Sequence, residues 1–160
     1  MAIERFMNSA YAYLYIGDYD EAKAAFERAI AEDPDNPEPY FHASITAHRS
    51  GFYDEARRLA ERAVSLCPEY PIYRSHLGRI MASKWFEAGK RAHIAGDIRG
   101  ALSLYGKALD ADPLHLEAFT YVREIISIHP ELKDELEEER RDTGTDDSSC
   151  HRRCERSNGA

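Results

Sequence analysis

The sequence predicts an all-α solenoid of antiparallel helix pairs, closed by a C-terminal capping helix. Three observations carry this reading. A block of eighteen residues that opens on glycine and closes on proline occurs three times, at 17–34, 51–68 and 96–113. Within each block alanine returns five and twelve residues after the glycine (Ala22 and Ala29, Ala56 and Ala63, Ala101 and Ala108), with Phe26, Ala60 or Tyr105 between them. The segments ahead of each block carry apolar residues at helical spacing rather than in alternation. The first two blocks start 34 residues apart and the third follows after 45. A period of roughly 20–50 residues is the signature of stacked supersecondary units.

Each element can be justified in turn. Residues 3–16 place Phe6, Ala10, Tyr13 and Leu14 on one side of a helix, and Gly17 provides the turn that ends it. The next helix starts at Asp18, with Glu21 three residues on as in a capping box. It aligns Ala22, Phe26, Ala29 and Ile30 on one face and stops at Pro34. Residues 38–50 repeat the first pattern with Tyr40, Ala43, Ser44 and Ala47, and residues 83–95 with Trp85, Ala88, Gly89 and Ala92. Turns this short force paired helices to run antiparallel. Antiparallel helices approach closely only where side chains are small, which explains the alanines. Ala10, Ala22 and Ala29 mark the close contacts, and Phe6, Tyr13 and Phe26 fill the gaps. A single pair buries too little surface, so stacked neighbours must supply the rest.

The longer third interval comes from PIYRSHLGRIM, residues 71–81. Eleven residues make almost three turns, at about 3.6 per turn, so the insertion lengthens a helix without rotating its faces. One helix from about Ile72 to Ala95 is expected, with a separate short helix kinked near Gly78 as the alternative. Gly78 and Gly89 each weaken it by ~1 kcal/mol relative to alanine. The overhang is expected to project Tyr73, His76, Leu77 and Ile80 beyond the stack, to be covered by the C-terminal helices or by a partner. Residues 116–128 form a further first helix with Phe119, Val122 and Ile126 inward, stopped at His129-Pro130. Residues 131–141 are acidic, with Leu132 and Leu136 on one side, which suits the solvating cap that an array needs at its end. From 142 to 160 there is no large apolar residue, so this tail is expected to be disordered. The domain is accordingly drawn at 3–141.

Composition narrows the function. The formal net charge is −8, against the basic footprint that nucleic acid requires. No apolar run approaches the roughly 18–20 residues that span a bilayer. The early acid and lack of a basic start do not read as a signal peptide, so cytoplasm is the expected location. Three cysteines make no disulfide framework. Cys67 reads as a small buried filler. Cys150 and Cys154 flank HRR in the polar tail, a spacing that matches no strong zinc pattern. No metal or cofactor is expected. The sequence has no phosphate-cradling glycine loop, no GxSxG elbow and no HExxH helix. His42 and His48 are six residues apart, which does not make them neighbours on a helix. The acids at Asp18, Asp20 and Glu21 suit a helix start, where negative charge complements the macrodipole. The chain is read as non-enzymatic.

These residues resemble the tetratricopeptide repeat, a 34-residue helix–turn–helix unit. Three registers fit, 3–36, 37–70 and 82–115, with 71–81 inserted and 116–141 as capping helices. The third fits best, through Trp85, Ala88, Gly89, Ala92, Gly96, Ala101, Tyr105, Ala108 and Pro113. The first departs at Ser9-Ala10, and the second at Ala43-Ser44 and Ala47.

The resemblance implies a right-handed superhelix whose first helices line a concave groove. It places Met7, Phe41 and Phe86, then Tyr11, Ile45 and Lys90, then Leu14, Tyr15, His48, Arg49, His93 and Ile94 along that groove. The binding residues it implies are Met7, Tyr11, Tyr15, Phe41, Ile45, His48, Phe86 and Lys90. Such a groove suits an apolar helix or an extended protein segment. The clamp with which some members hold a C-terminal EEVD carboxylate needs lysines, asparagine and arginine. The matching positions are Met7, Tyr11, His42, Ser83 and Glu87, so that ligand is not expected. Self-association through 72–81 or an uncovered repeat edge is the second reading. A secretion-type chaperone is the third; such proteins usually add an N-terminal helical arm, whereas the first register here begins at residue 3.

Overall fold

In the computed structural model, residues 2–143 are described. They form eight helices and no strand: α1 (Ala2–Ile16), α2 (Tyr19–Glu32), α3 (Pro37–Arg49), α4 (Tyr53–Leu66), α5 (Pro71–Ile94), α6 (Ile98–Ala111), α7 (Leu116–Ile128) and α8 (Leu132–Thr143). The disordered tail expected from 142 onward, with Cys150 and Cys154, lies outside the described residues except for Asp142 and Thr143, which end α8.

Helices pair α1 with α2, α3 with α4 and α5 with α6, and each pair packs on the next. The three intra-pair turns use one device. Their glycines, Gly17, Gly51 and Gly96, have φ of 80°, 79° and 85°, the left-handed region that favours glycine. The following residue sends its N–H back to a carbonyl five residues earlier: Asp18 to Tyr13, Phe52 to Ala47, Asp97 to Ala92. This closes the preceding helix as a Schellman turn. The same residue is the N-cap of the next helix. Asp18 and Asp97 accept from the backbone N–H of Glu21 and Gly100, whereas Phe52 has no side-chain oxygen to offer. Prolines open α3 and α5, where a missing N–H costs nothing.

The fixed alanines do what their size predicts. Ala10, Ala22, Ala29, Ala56, Ala63, Ala101 and Ala108 are fully buried. Phe26 and Tyr105 fill the space between helices, and Ala60 stands at the same place in the middle repeat.

Helix α5 runs unbroken for 24 residues. Its first half does not project. Tyr73, His76 and Ile80 are buried and Leu77 is partly so, packed against the α3–α4 pair. Phe41 meets His76, and His48 meets Ser83, each pair 35 residues apart, so α5 lies parallel to α3 at about one repeat's offset. The overhang expected from the sequence is therefore covered by the second pair. Eleven added residues let one helix pack on the second pair through Tyr73, His76, Ile80 and Ser83 and on α6 from Gly78 onward.

Gly78 and Gly89 have a use that helix propensity hides. A side-chain carbon at Gly78 would come within 2.7 Å of the Ala111 carbonyl oxygen, and one at Gly89 within 2.6 Å of Tyr105. Both glycines let α6 lie close along α5.

Two further expectations change. On α7 the inward side is Ala118, Val122, Ile125 and Ile126; Val122 and Ile126 pack there as expected, and Phe119 does not. Phe119 is 52% exposed because it lies about 100° around the helix from Ala118. Cys67 is only partly buried; it caps α4 and its Sγ–H donates to Glu69 Oε1 at 3.3 Å. Helix α8 is seated on α6 by Leu132 and Leu136, both buried.

Candidate partner-binding groove

The first helices α1, α3 and α5 present a connected row of rings. Tyr11 sits edge-on to His42 at 5.3 Å, and His42 edge-on to Phe41 at 5.3 Å. Phe41 contacts both Tyr73 (4.9 Å) and His76 (5.2 Å) across the α3–α5 seam. His76 meets His48 at 5.8 Å, and His48 is hydrogen-bonded through Nε2 to Ser83 Oγ at 2.9 Å. Edge-to-face contacts of this kind stabilise beyond the area they bury.

The row holds its histidines neutral. Burial pushes His42 and His48 below the ordinary imidazole value, and His76 down to about 4. For His76 the nearby His48 and Arg79 charges add to the burial. Its Nε2 is buried with no hydrogen-bond partner among the described residues. Burial, followed by the Glu38 carboxylate, pushes the Tyr11 hydroxyl up. Among the described residues no group of three histidines, cysteines or acids is placed to hold a metal ion.

The residues read from the sequence distribute unevenly. Tyr11, Phe41 and His48 belong to this row, and Ile45 lies part-buried on the same helix as the latter two. Tyr15 stands 92% exposed near the end of α1. Met7, 6% exposed, is part of the α1–α2 core. Phe86, 7% exposed, packs against Tyr105, His115 and Tyr121 in the core of the C-terminal half. Lys90 lies over the Phe86 ring at 5.5 Å and pairs with Glu87 at 2.9 Å, so Phe86 and Lys90 form a second cluster at the α5–α7 end.

Tyr73 and His76 were missed as members of the row because 71–81 read as an overhang. The signal was available: Pro71 follows Pro37 by one 34-residue period.

Stacked helix hairpins with a ring-lined row on their first helices define an all-α repeat solenoid. The tetratricopeptide repeat model matches residues 7–71, which span α2 to α4 and the later part of α1. No curated protein matches it. Among solved structures it is similar to a MamA protein, 18% identical over 86% of this chain and 87% of that one, with a TM-score of 0.53. It is also similar to the first repeat domain of Spaghetti (RPAP3) bound to the HSP90 peptide SRMEEVD, 20% identical over 80% of this chain and 93% of that one, with a TM-score of 0.47. An O-GlcNAc transferase mutant of Thermobaculum terrenum is 22% identical over 78% of this chain, with a TM-score of 0.48. The chain spans 22% of that enzyme. At 18% identity the likeness to the MamA protein is one of fold. No helix among the described residues is long and apolar enough to cross a membrane.

Proposed function

We propose that the chain is a non-enzymatic adaptor that takes an apolar helix or extended segment of a protein partner along α1, α3 and α5. The observation that carries this is the ring row from Tyr11 to His48, which crosses three helices and stays partly open to solvent at Tyr11, Phe41 and His48. Rigid aromatic surface binds at low entropic cost and supplies anchors for alternate side chains of a bound segment. Tyr15 and Ile45 extend the surface, and Lys90 adds a cation at its far end.

A photo-crosslinking amino acid at Tyr11 and at Tyr15, expressed in the native host, tests the reading. One polypeptide is expected to be captured from both positions and not from Glu32 on α2. Tyr11→Ala is expected to weaken that partner's binding about tenfold with helix content unchanged. Equal capture from Glu32, or unchanged affinity in the variant, removes this face as the site. Phe41→Glu is a poorer variant, because Phe41 is wedged between Tyr73 and His76.

Self-association is favoured by a different feature. Leu114, Leu116 and Phe119 are exposed at the start of α7, where a further repeat would otherwise pack. Light scattering over a dilution series separates the two readings: a monomer at high concentration argues against assembly.

A further inference from the structure

On the side of α3 opposite Phe41 and His48, a cleft of about 90 Å³ opens between α2 and α4. Its floor is small, made by Ala43, Thr46 and Ala47 of α3, and its apolar walls include Phe26, Leu59 and Phe52. The cleft continues over the α1–α2 turn, where Ile16, Tyr19 and Phe52 line the adjoining surface. These three are large apolar side chains left exposed, Phe52 at 63%.

Phe52 is the informative residue. It occupies the N-cap position that Asp18 and Asp97 fill in the other two turns, with nearly the same backbone angles. An exposed ring there forgoes a capping hydrogen bond and gains only partial burial within this chain. The rim is equally one-sided. Asp18, Asp20, Glu27 and Glu55 line the two clefts against a single cation, Lys23, which is bonded to Glu55 at 2.7 Å. The apolar cleft therefore lies within excess negative charge.

We propose that this cleft is a second docking surface, separate from the α1–α3–α5 face, for a protein segment that inserts one or two bulky apolar side chains and flanks them with lysine or arginine. The small floor residues give depth for the anchor. Phe52 and Tyr19 close over it, and the carboxylates pair with the flanking cations and set the orientation.

The probe is a fluorescein-labelled amphipathic peptide with leucines at i, i+3, i+4 and i+7 and arginines flanking them, read by anisotropy. Its companion carries glutamates in place of the arginines. The cationic peptide is expected to bind the full chain at least about tenfold more tightly than the acidic one, with the gap closing at high salt. Phe52→Ser, which restores a capping side chain, is expected to keep the fold and weaken the cationic peptide about tenfold. Glu27→Lys is expected to reduce the preference for the cationic peptide, and Tyr11→Ala to leave binding unchanged. Equal binding of both peptides, binding of neither, or insensitivity to Phe52→Ser overturns the proposal. Loss of binding in Tyr11→Ala alone moves the peptide to the other face and also overturns it. Tyr11 also meets the Phe26 ring edge-on at 6.2 Å, so Tyr15→Ala, on an exposed residue outside the lining of the cleft, is made in parallel and is likewise expected to leave peptide binding unchanged; it separates failure of one surface from failure of the other.

Discussion

The Tyr105 ring occupies the space that a side chain at position 89 would need: a Cβ on Gly89 would stand 2.6 Å from Tyr105 Cε1. Tyr105 is fully buried, so it has no room to retreat. Gly89→Ala should gain ~1 kcal/mol of helix propensity and lose roughly 1–3 kcal/mol to overpacking. A net loss is expected in urea unfolding, whereas alanine at an exposed helical glycine would stabilise. Equal or greater stability in Gly89→Ala would show that α5 and α6 can part without cost.

The neutral histidine row predicts a pH dependence. His76 has its folded pKa pushed down to about 4, and His42 and His48 shift in the same direction. An unfolded histidine titrates near 6.5, so the unfolded chain takes up protons first as the pH falls. The stability from a neutral His76 is complete above about pH 6.5 and is lost progressively from there toward pH 4. Melting temperature should fall between pH 7 and 5, above most carboxylate titration, and His76→Leu should flatten that slope. Identical slopes in the two proteins would remove His76 as the cause.

The uncapped α4 offers a stabilising change. Phe52→Asp copies the residue at the two equivalent turns and should let the side chain accept from the Glu55 N–H. A gain of about 1 kcal/mol is expected in chemical denaturation. A loss would mean that the Phe52 ring packs usefully despite its exposure.

The terminal helix α8 should depend on its leucines rather than its ion pairs. Leu136 is buried over Gly106, and truncation to alanine should cost at least about 2 kcal/mol. Arg140 reaches Asp110 at 2.6 Å, but the pair is substantially exposed, so Arg140→Ala should cost under ~1 kcal/mol and less in high salt. Urea titrations of both variants at two salt concentrations decide between them; a larger loss in Arg140→Ala would reverse the ranking.

Local chemistry made the helix pairs legible in the sequence. Glycine turns, capping aspartates and alanine contacts each act within one repeat, and each leaves a residue type at a fixed place. Contacts between repeats leave weaker marks. Tyr73 and His76 read as overhang because their partners, Phe41 and His48, lie a full repeat away. Gly78 and Gly89 read as weak points because the atoms they admit belong to α6. Phe119 was put inside because three faces of α7 are apolar, and only the position of α6 selects Ala118 and Ile125. For the binding surface, position within the repeat marked Tyr11, Phe41 and His48, but it could not separate them from Met7 and Phe86, which the same pattern sends into the core.

Helix α5 also changes what may be cut from this molecule. Arrays of this kind are usually divisible between units, yet here Ile80 fills the space beside Ala47, Ala56 and Ala60 from a helix that belongs equally to α6. A fragment ending at residue 70 would leave that space open to water, so the first two hairpins are expected to be less stable when cut there. The long rod ties the α3–α4 hairpin to α6, and unfolding of the two is expected to be coupled.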